Sequence, residues 1–388
     1  MKNNRLHNLL LIATTISIIL IIAIAPLFKS GMSLPNYYNQ LFEEAVVVEI
    51  ISEDLKTDAV IHGLIVGRQE AVVKVTTGKY KGGIYETVNI LDQAHNVLLQ
   101  NKLKVIVGIR ETDEGPNVWV YNHKRVNYLY ALAGIFFLLL LYFGRKKGID
   151  SIVALLFTGS VFIFILIPLI FRGYNTVLLA IICAIVSLVV SFLLIGGFEK
   201  KTFVAILGTF CGIIVAGLIS LIFSKLTHIT GINLDKGTQL VYVALDYGIK
   251  VKGIMFASIL IASLGAVMDV AMSISSAMYE LYLMNTKITF KSLFTTGMNI
   301  GKDIMGTMAN TLILAFMGGS FSLMLLLYGY NMSYTQISNL PFIAVEVVQG
   351  LAGSIGIVLT VPFTAFMAAL IYLKSDRRPV KSSRHKTR

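Results

Sequence analysis

The chain has 388 residues, 56% of them hydrophobic and only 14% charged, with a mean hydropathy of +0.76. Soluble domains carry nearer a quarter charged residues, so an ordinary soluble globule is excluded and a membrane protein is indicated. The formal net charge of +12 lies in short basic clusters between apolar runs and in the C-terminal tail, as the positive-inside rule distributes it, which argues against a nucleic-acid partner.

The first 28 residues open on Lys2 and Arg5 and continue as an uncharged apolar run over 9–28, long enough to span a bilayer. Ala23-Ile24-Ala25 resembles a cleavage site, but the apolar run is longer than a signal-peptide core and Pro26 would follow the cut. The reading is an uncleaved membrane anchor.

Residues 29–125 form the soluble-looking segment. Five short runs rich in β-branched residues (46–51, 71–75, 85–90, 103–109 and 118–121) are separated by Gly, Asn and Asp. This pattern predicts a small all-β, OB-like domain. Trp119 and Tyr121 alternate with Val118 and Val120, so one pair faces the core. The aromatics are read as core rather than as a stacking platform. Lys79 and Lys81 on a glycine-bounded turn are read as solvated, and His62, His95 and His123 lack metal-ligand spacing. Cys183 and Cys211 fall inside apolar runs and read as small buried hydrophobes.

From 126 onward the chain alternates apolar runs with short polar links. Spans are expected over 126–143, 152–171, 176–194, 202–223, 253–283, 303–328 and 341–373. With the anchor these make about eight, a mostly α polytopic bundle over 126–373, followed by a basic tail over 374–388. Charge places Arg145, Lys146, Lys147, Lys200, Lys201, Lys287, Lys291 and the tail on one side. The four lysines of 225–252 are the exception. Both termini are therefore expected in the cytoplasm and the β-domain outside. Leu240, Val241, Val243, Ala244 and Leu245 suit an interfacial or re-entrant helix. The glycines at 208, 212 and 217 read as helix packing. The two longest runs must tilt, extend or break; Gly265 and the stretch 350–356 are the natural breaks, and an unbroken tilted helix packing through its small residues is the equal alternative at Gly265.

The stretch 265–310 concentrates polar residues where the chain is otherwise apolar. From Asp269, helical steps of four, seven and eleven reach Ser273, Ser276 and Glu280. From Asn299, steps of four, eight and eleven reach Asp303, Thr307 and Asn310. Each set occupies one helix face, and the short link 284–290 makes the helices antiparallel neighbours. Lipid rejects both stripes, so they are expected to face each other. No mid-span Arg or Lys neutralises the acids, so they carry a proton or hold a cation. Met268, Met272, Met305 and Met308 lie beside them. Asp269, Asp303 and Met272 are weak candidates for a softer divalent metal, although methionine more commonly fills gaps in a core. Glu346 and Gln349 in the last run suit an entrance or rim.

Two segments resemble the YibE/F family of bacterial membrane proteins: SLGAVMDVAMSISSAMYEL over 263–281 and GMNIGKDIMGTMANTLILA over 297–315. Arg172-Gly-Tyr-Asn175, Gly196-Gly-Phe198 and Gly78-Lys-Tyr-Lys-Gly82 are similar to family landmarks, although Lys302 stands where an Arg is expected. The resemblance implies an anchor, an external β-domain and a multi-span domain in one bacterial plasma-membrane protein. It strengthens Asp269, Asn299, Asp303 and Asn310 as site residues and carries over no activity.

The expected function is a cation- or proton-coupled transporter of unknown substrate. Its partners are the lipid bilayer, a small ion or solute, and a second copy of itself, with a bound cation in place of any cofactor. A membrane sensor or assembly factor with a receptor-like β-domain is the alternative. An intramembrane aspartyl protease is a third reading, weakened by Lys302 beside Asp303 and by the absence of a Gly-x-Gly-Asp pattern. No Walker loop is present to bind ATP.

Overall fold

The computed structural model describes residues 2–29, 40–113, 115–234, 236–247, 251–285 and 287–374. The expected basic tail, except Lys374, lies outside them. The chain divides into two compact units, Met32–Leu139 and Met1–Gly31 with Leu140–Arg388.

The first unit is a five-stranded antiparallel sheet: β1 (Gln40–Thr57), β2 (Ile65–Val75), β3 (Ile84–Leu91), β4 (Lys104–Thr112) and β5 (Gly115–His123), in the order β3-β2-β1-β4-β5. Each expected run lies in a strand longer than its apolar core, except that Leu103 falls just ahead of β4. The reason is hydrogen-bonding reach: polar flanks such as Ser52 to Thr57 still pair with β2. Two register shifts in β1, at Val47/Glu49 and Ile50/Ser52, bend the sheet so that it curls.

The core is aliphatic, with Val47, Val73, Val105, Val107 and Ile109 at its centre. The aromatic expectation is corrected here. Val118 and Val120 are the buried pair, while Tyr121 is 50% exposed and packs on Phe42 across the outer face. Trp119 fits because its indole lies over Gly108, where any Cβ would collide with it. Gly108→Val is expected to destabilise this unit by about 1–3 kcal/mol. A lower urea midpoint in Trp119 fluorescence, the chain's one tryptophan, would establish it.

Two aspartates close the loops. Asp58 accepts from the backbone N–H groups of Ile61 and Val60, and Asp92 from those of His95 and Ala94. These bonds hold both carboxyls below the usual range. A depressed folded-state pKa contributes stability above the unfolded value that is lost as pH falls through the folded value. Trp119 emission should therefore report a cooperative loss of the sheet below about pH 4, shifted to higher pH when Asp58→Ala and Asp92→Ala remove the turns.

The second unit is helical. Its elements are α1 (Lys2–Lys29), α2 (Val126–Val161, begun in the first unit), α3 (Ile167–Phe171), α4 (Thr176–Gly196), α5 (Lys200–Leu226), α6 (Gly237–Tyr247), α7 (Ile254–Met284), α8 (Phe290–Gly319), α9 (Phe321–Gly329), α10 (Tyr334–Ser338) and α11 (Pro341–Lys374). Among the described residues six helical stretches are long and apolar enough to cross a membrane. They become seven if α8 and α9, bent by 58°, act as one.

The breaks are not where glycine suggested. α7 runs unbroken through Gly265, and α11 through 350–356 and Pro362. Gly353 and Gly356 instead let α11 approach Leu312, Ser263 and Ala216. The helix interrupts at Arg145, whose φ is 49°, and in a π-turn over Phe162–Leu166. At Arg145 the chain turns back until Gly148 lies against the Leu140 backbone. The following segment runs beside α1. His7 bonds Asp150 at one end (3.1 Å), and the Arg172 guanidinium donates to the Leu27 carbonyl at the other (3.0 Å). As expected, Gly208 and Gly212 of α5 admit Thr364 and Thr360 of α11; of the two free cysteines, Cys183 is buried as expected and Cys211 only half-buried.

Candidate functional site

The site is carried by α7 and α8, which pack on each other and on α11. Three close approaches fix their register. Gly297 meets Met278, Gly301 meets Ile274, and Leu312 and Ser263 meet at Gly353 of α11. Four or eleven residues forward on α8 are matched by four or eleven back on α7, so the helices are antiparallel neighbours at one level. Gly297, Gly301 and Gly353 carry no side chain at these crossings, which lets the three backbones close up.

This register sets the height of every candidate. Asp269 is level with Gly306, and Asp303 lies three residues away, about 4.5 Å along the axis at 1.5 Å per residue. Asn299 is level with Ser276, Ser273 with Lys302, Gly265 with Asn310. All lie near the middle of α7 and α8, where a span is furthest from water.

Lateral direction differs from the expectation. Leu293, Gly297, Gly301 and Leu312 are the buried side of α8. At about 100° per residue Asn299, Asp303, Gly306 and Asn310 fall on the opposite side, and all four are exposed, as is Thr307. On α7, Val267, Val270, Ala271, Ile274 and Met278 are buried, while Asp269, Ser273 and Glu280 are exposed on the reverse face. The two stripes therefore both lie on the outer surface of one chain instead of closing on each other. The physical reason is competition for the interface. The α7–α8 seam is taken by apolar and glycine contacts, which pack backbones more closely than hydrated carboxylates can.

Among the described residues Asp269, Ser273, Glu280, Asn299, Asp303, Asn310 and Glu346 make no side-chain hydrogen bond or ion pair. Thr307, by contrast, turns its hydroxyl back to the Ile304 carbonyl (2.8 Å). The methionines pack into the core: Met268, Met272, Met305 and Met308 line its edge, and the Met272 methyl lies against Gly196. No group of three or more His, Cys, Asp or Glu is gathered among the described residues. Glu346 is half-buried at a separate place, an apolar cavity of 300 Å³ under the α8–α9 bend, lined also by Phe316, Met317, Ser320 and Met324. Gln349 points inward and donates to Ser258 of α7 (2.8 Å), so it ties helices together and forms no rim.

Three features were not singled out from the sequence. Ser275 sits on the buried side of α7, bonded to the Lys201 carbonyl (2.6 Å) and the fully buried Tyr372 hydroxyl (2.8 Å). It joins the start of α5 and the end of α11 to α7, and its only sequence signal was a serine out of phase with the polar stripe. Tyr372→Phe should lower the thermal midpoint of the purified protein, at a cost of about 1–3 kcal/mol for stranded buried partners. Asp150, 8% exposed, holds His7. In the β-domain a cleft of 560 Å³ collects Lys102, Lys104, His123, Lys124 and Arg125. Burial, with the Arg125 charge and His95 nearby, keeps the His123 imidazole below its ordinary pKa. Lys102 and Lys104 lie about twenty residues from the 123–125 stretch, so no one sequence window groups the whole set.

The family of YibE/F-like proteins matches residues 132–374, from within α2 to the end of α11. No curated protein and no solved structure matches the chain.

Proposed function

The chain belongs to the YibE/F-like family, a name that states no activity, and we propose from the site itself that it is a cation- or proton-coupled membrane transporter acting through Asp269 and Asp303. One observation carries this reading. Two carboxylates stand within a helical turn of each other in height, midway along packed helices, α7 being long and apolar enough to cross a membrane by itself and α8 together with α9, with no partner among the described residues. A carboxylate at that depth is costly unless it takes a proton, a cation or a water-filled surrounding, and each of these is a way to move charge. Asn299, Thr307 and Asn310 supply neutral oxygens along the Asp303 face of α8, Ser273 and Glu280 lie along the Asp269 face of α7, and Glu346 stands apart in the cavity under the α8–α9 bend.

In this reading the chain is an eight-span protein of the bacterial plasma membrane. The turn at Arg145 separates two spans, because the segment after it accompanies α1 from His7 to Leu27. Both termini and the basic links lie in the cytoplasm and the β-domain outside. The order β3-β2-β1-β4-β5 supports an OB-like barrel. The basic cleft favours a second reading, a sensor or assembly factor whose β-domain receives an anionic ligand. A flux screen of protons, Na⁺ and divalent metals in vesicles of purified protein separates them. Transport predicts flux of one cation that the Asp269→Asn, Asp303→Asn double variant lacks, and flux equal in the two proteins removes the acids from the mechanism.

A further inference from the structure

We propose that the outer face of α8 is the contact between two copies of this chain, related by a two-fold axis along the membrane normal, and that the site is incomplete without the second copy. That the paired helices enclose the ion path rests on the transport reading; the pairing itself rests on the face alone.

Residues 297–312 of α8 lie level with 263–278 of α7 and with α11 from Gly353 to Ala365. Both neighbours are long and apolar enough to cross a membrane. Asn299, Lys302, Asp303 and Asn310 are thus at membrane depth, exposed, and without a partner among the described residues. Hydrocarbon offers them no hydrogen bond, so protein or enclosed water must cover them.

The pattern of the face identifies the cover. Asn299, Asp303, Gly306 and Asn310 follow the alternating four- and three-residue spacing of a helix-pairing seam. Gly306 has nothing within 4 Å of where a Cβ would stand, so a second backbone can come close there. Charge complementarity then selects a copy of the same chain. With this spacing Asp303 takes the first position of the repeat, where in a parallel two-fold pair a residue faces its own counterpart and packs beside the residue preceding it. Asp303 of each copy therefore meets Lys302 of the other, giving two ion pairs. One chain cannot make this bond, because consecutive helix residues diverge by about 100°. A foreign partner would need matching charges of its own, whereas a second copy already has them.

The test is disulfide trapping of the full chain in membranes. Cys183 and Cys211 are replaced by alanine, and single cysteines are placed at Asn299, Gly306 or Asn310, with Leu359 on the exposed side of α11 as control. The expected result is a dimer of twice the chain mass at the three seam positions and not at Leu359. Asp303→Lys should cut trapping at Gly306→Cys about tenfold by setting like charges together, and adding Lys302→Asp should restore it. Adducts of another mass, equal trapping at Leu359, or a charge reversal without effect would overturn the pairing. Native mass spectrometry of the unsubstituted protein in nanodiscs guards against misfolded variants: two chains per particle are expected, and one alone refutes the proposal. Neither measurement reads flux, so a failed transport reading and a failed pairing are told apart.

Discussion

Asp303→Asn is expected to bring coupled cation flux down to the level of empty vesicles while the protein is still made and folded. The side chain lies on the exposed face of α8 with no hydrogen bond or ion pair among the described residues. Its removal therefore strands no buried donor, and the fold loses little. The amide can neither carry a proton at neutral pH nor balance a cation. A hydrogen bond to a charged group contributes about 1.5–3 kcal/mol, so apparent cation affinity should fall by roughly 10- to 100-fold even where some binding survives. Asp303→Glu keeps the charge and should retain part of the flux. Asp269→Asn should act in the same direction, since the two acids differ in height by a single turn. The measurement is initial flux rate against cation concentration or pH gradient, with thermal midpoints as the folding control. If Asp303→Asn carries normal flux, charge does not pass through this face.

A second large effect comes from a pair of glycines on α8 that sit five residues apart. Gly301 lies on the buried side, where a Cβ would collide with Val361 and approach Ile274. Gly306 lies on the open side with nothing near. Gly301→Leu must push α8 off α11 and α7. Overpacking of this kind costs typically about 1–3 kcal/mol and more when backbones must separate. The expected outcome is loss of the monodisperse species in fluorescence-detected size exclusion, or a thermal midpoint lowered by several degrees. Gly306→Leu should leave the fold of the single chain intact, and because leucine fills the seam, it should reduce trapping of the two-copy form. Equal destabilisation by both would mean that the register between α7 and α8 is wrong.

The sequence disclosed the classes of element and the residues that matter, but not their lateral orientation. Five strands were legible because β-branched runs between Gly and Asp punctuation have a period of two. The apolar helices were legible because their length matches a bilayer. Helix breaks were legible only in part. Gly265 and the 350–356 stretch looked like interruptions, yet a glycine in a helix serves a close crossing as well as a break, and nothing local separates the two. The break at Arg145 falls in the basic link expected between the spans 126–143 and 152–171. The aromatic residues of β5 gave a similar ambiguity: alternation showed that one pair is buried, and only packing on the neighbouring strands, with Trp119 over Gly108, decided that the valines are.

The polar stripes show the same division. Helical spacing alone placed Asp269, Ser273 and Glu280 on one face and Asn299, Asp303, Thr307 and Asn310 on another, because 3.6 residues per turn is a property of the backbone. Which way each face turns depends on what else competes for the seam between two helices. That competition was won by Gly297, Gly301, Ile274 and Met278, contacts between residues far apart in the chain. Periodicity is local and can be read along a sequence, whereas direction is set by neighbours that only the folded chain brings together.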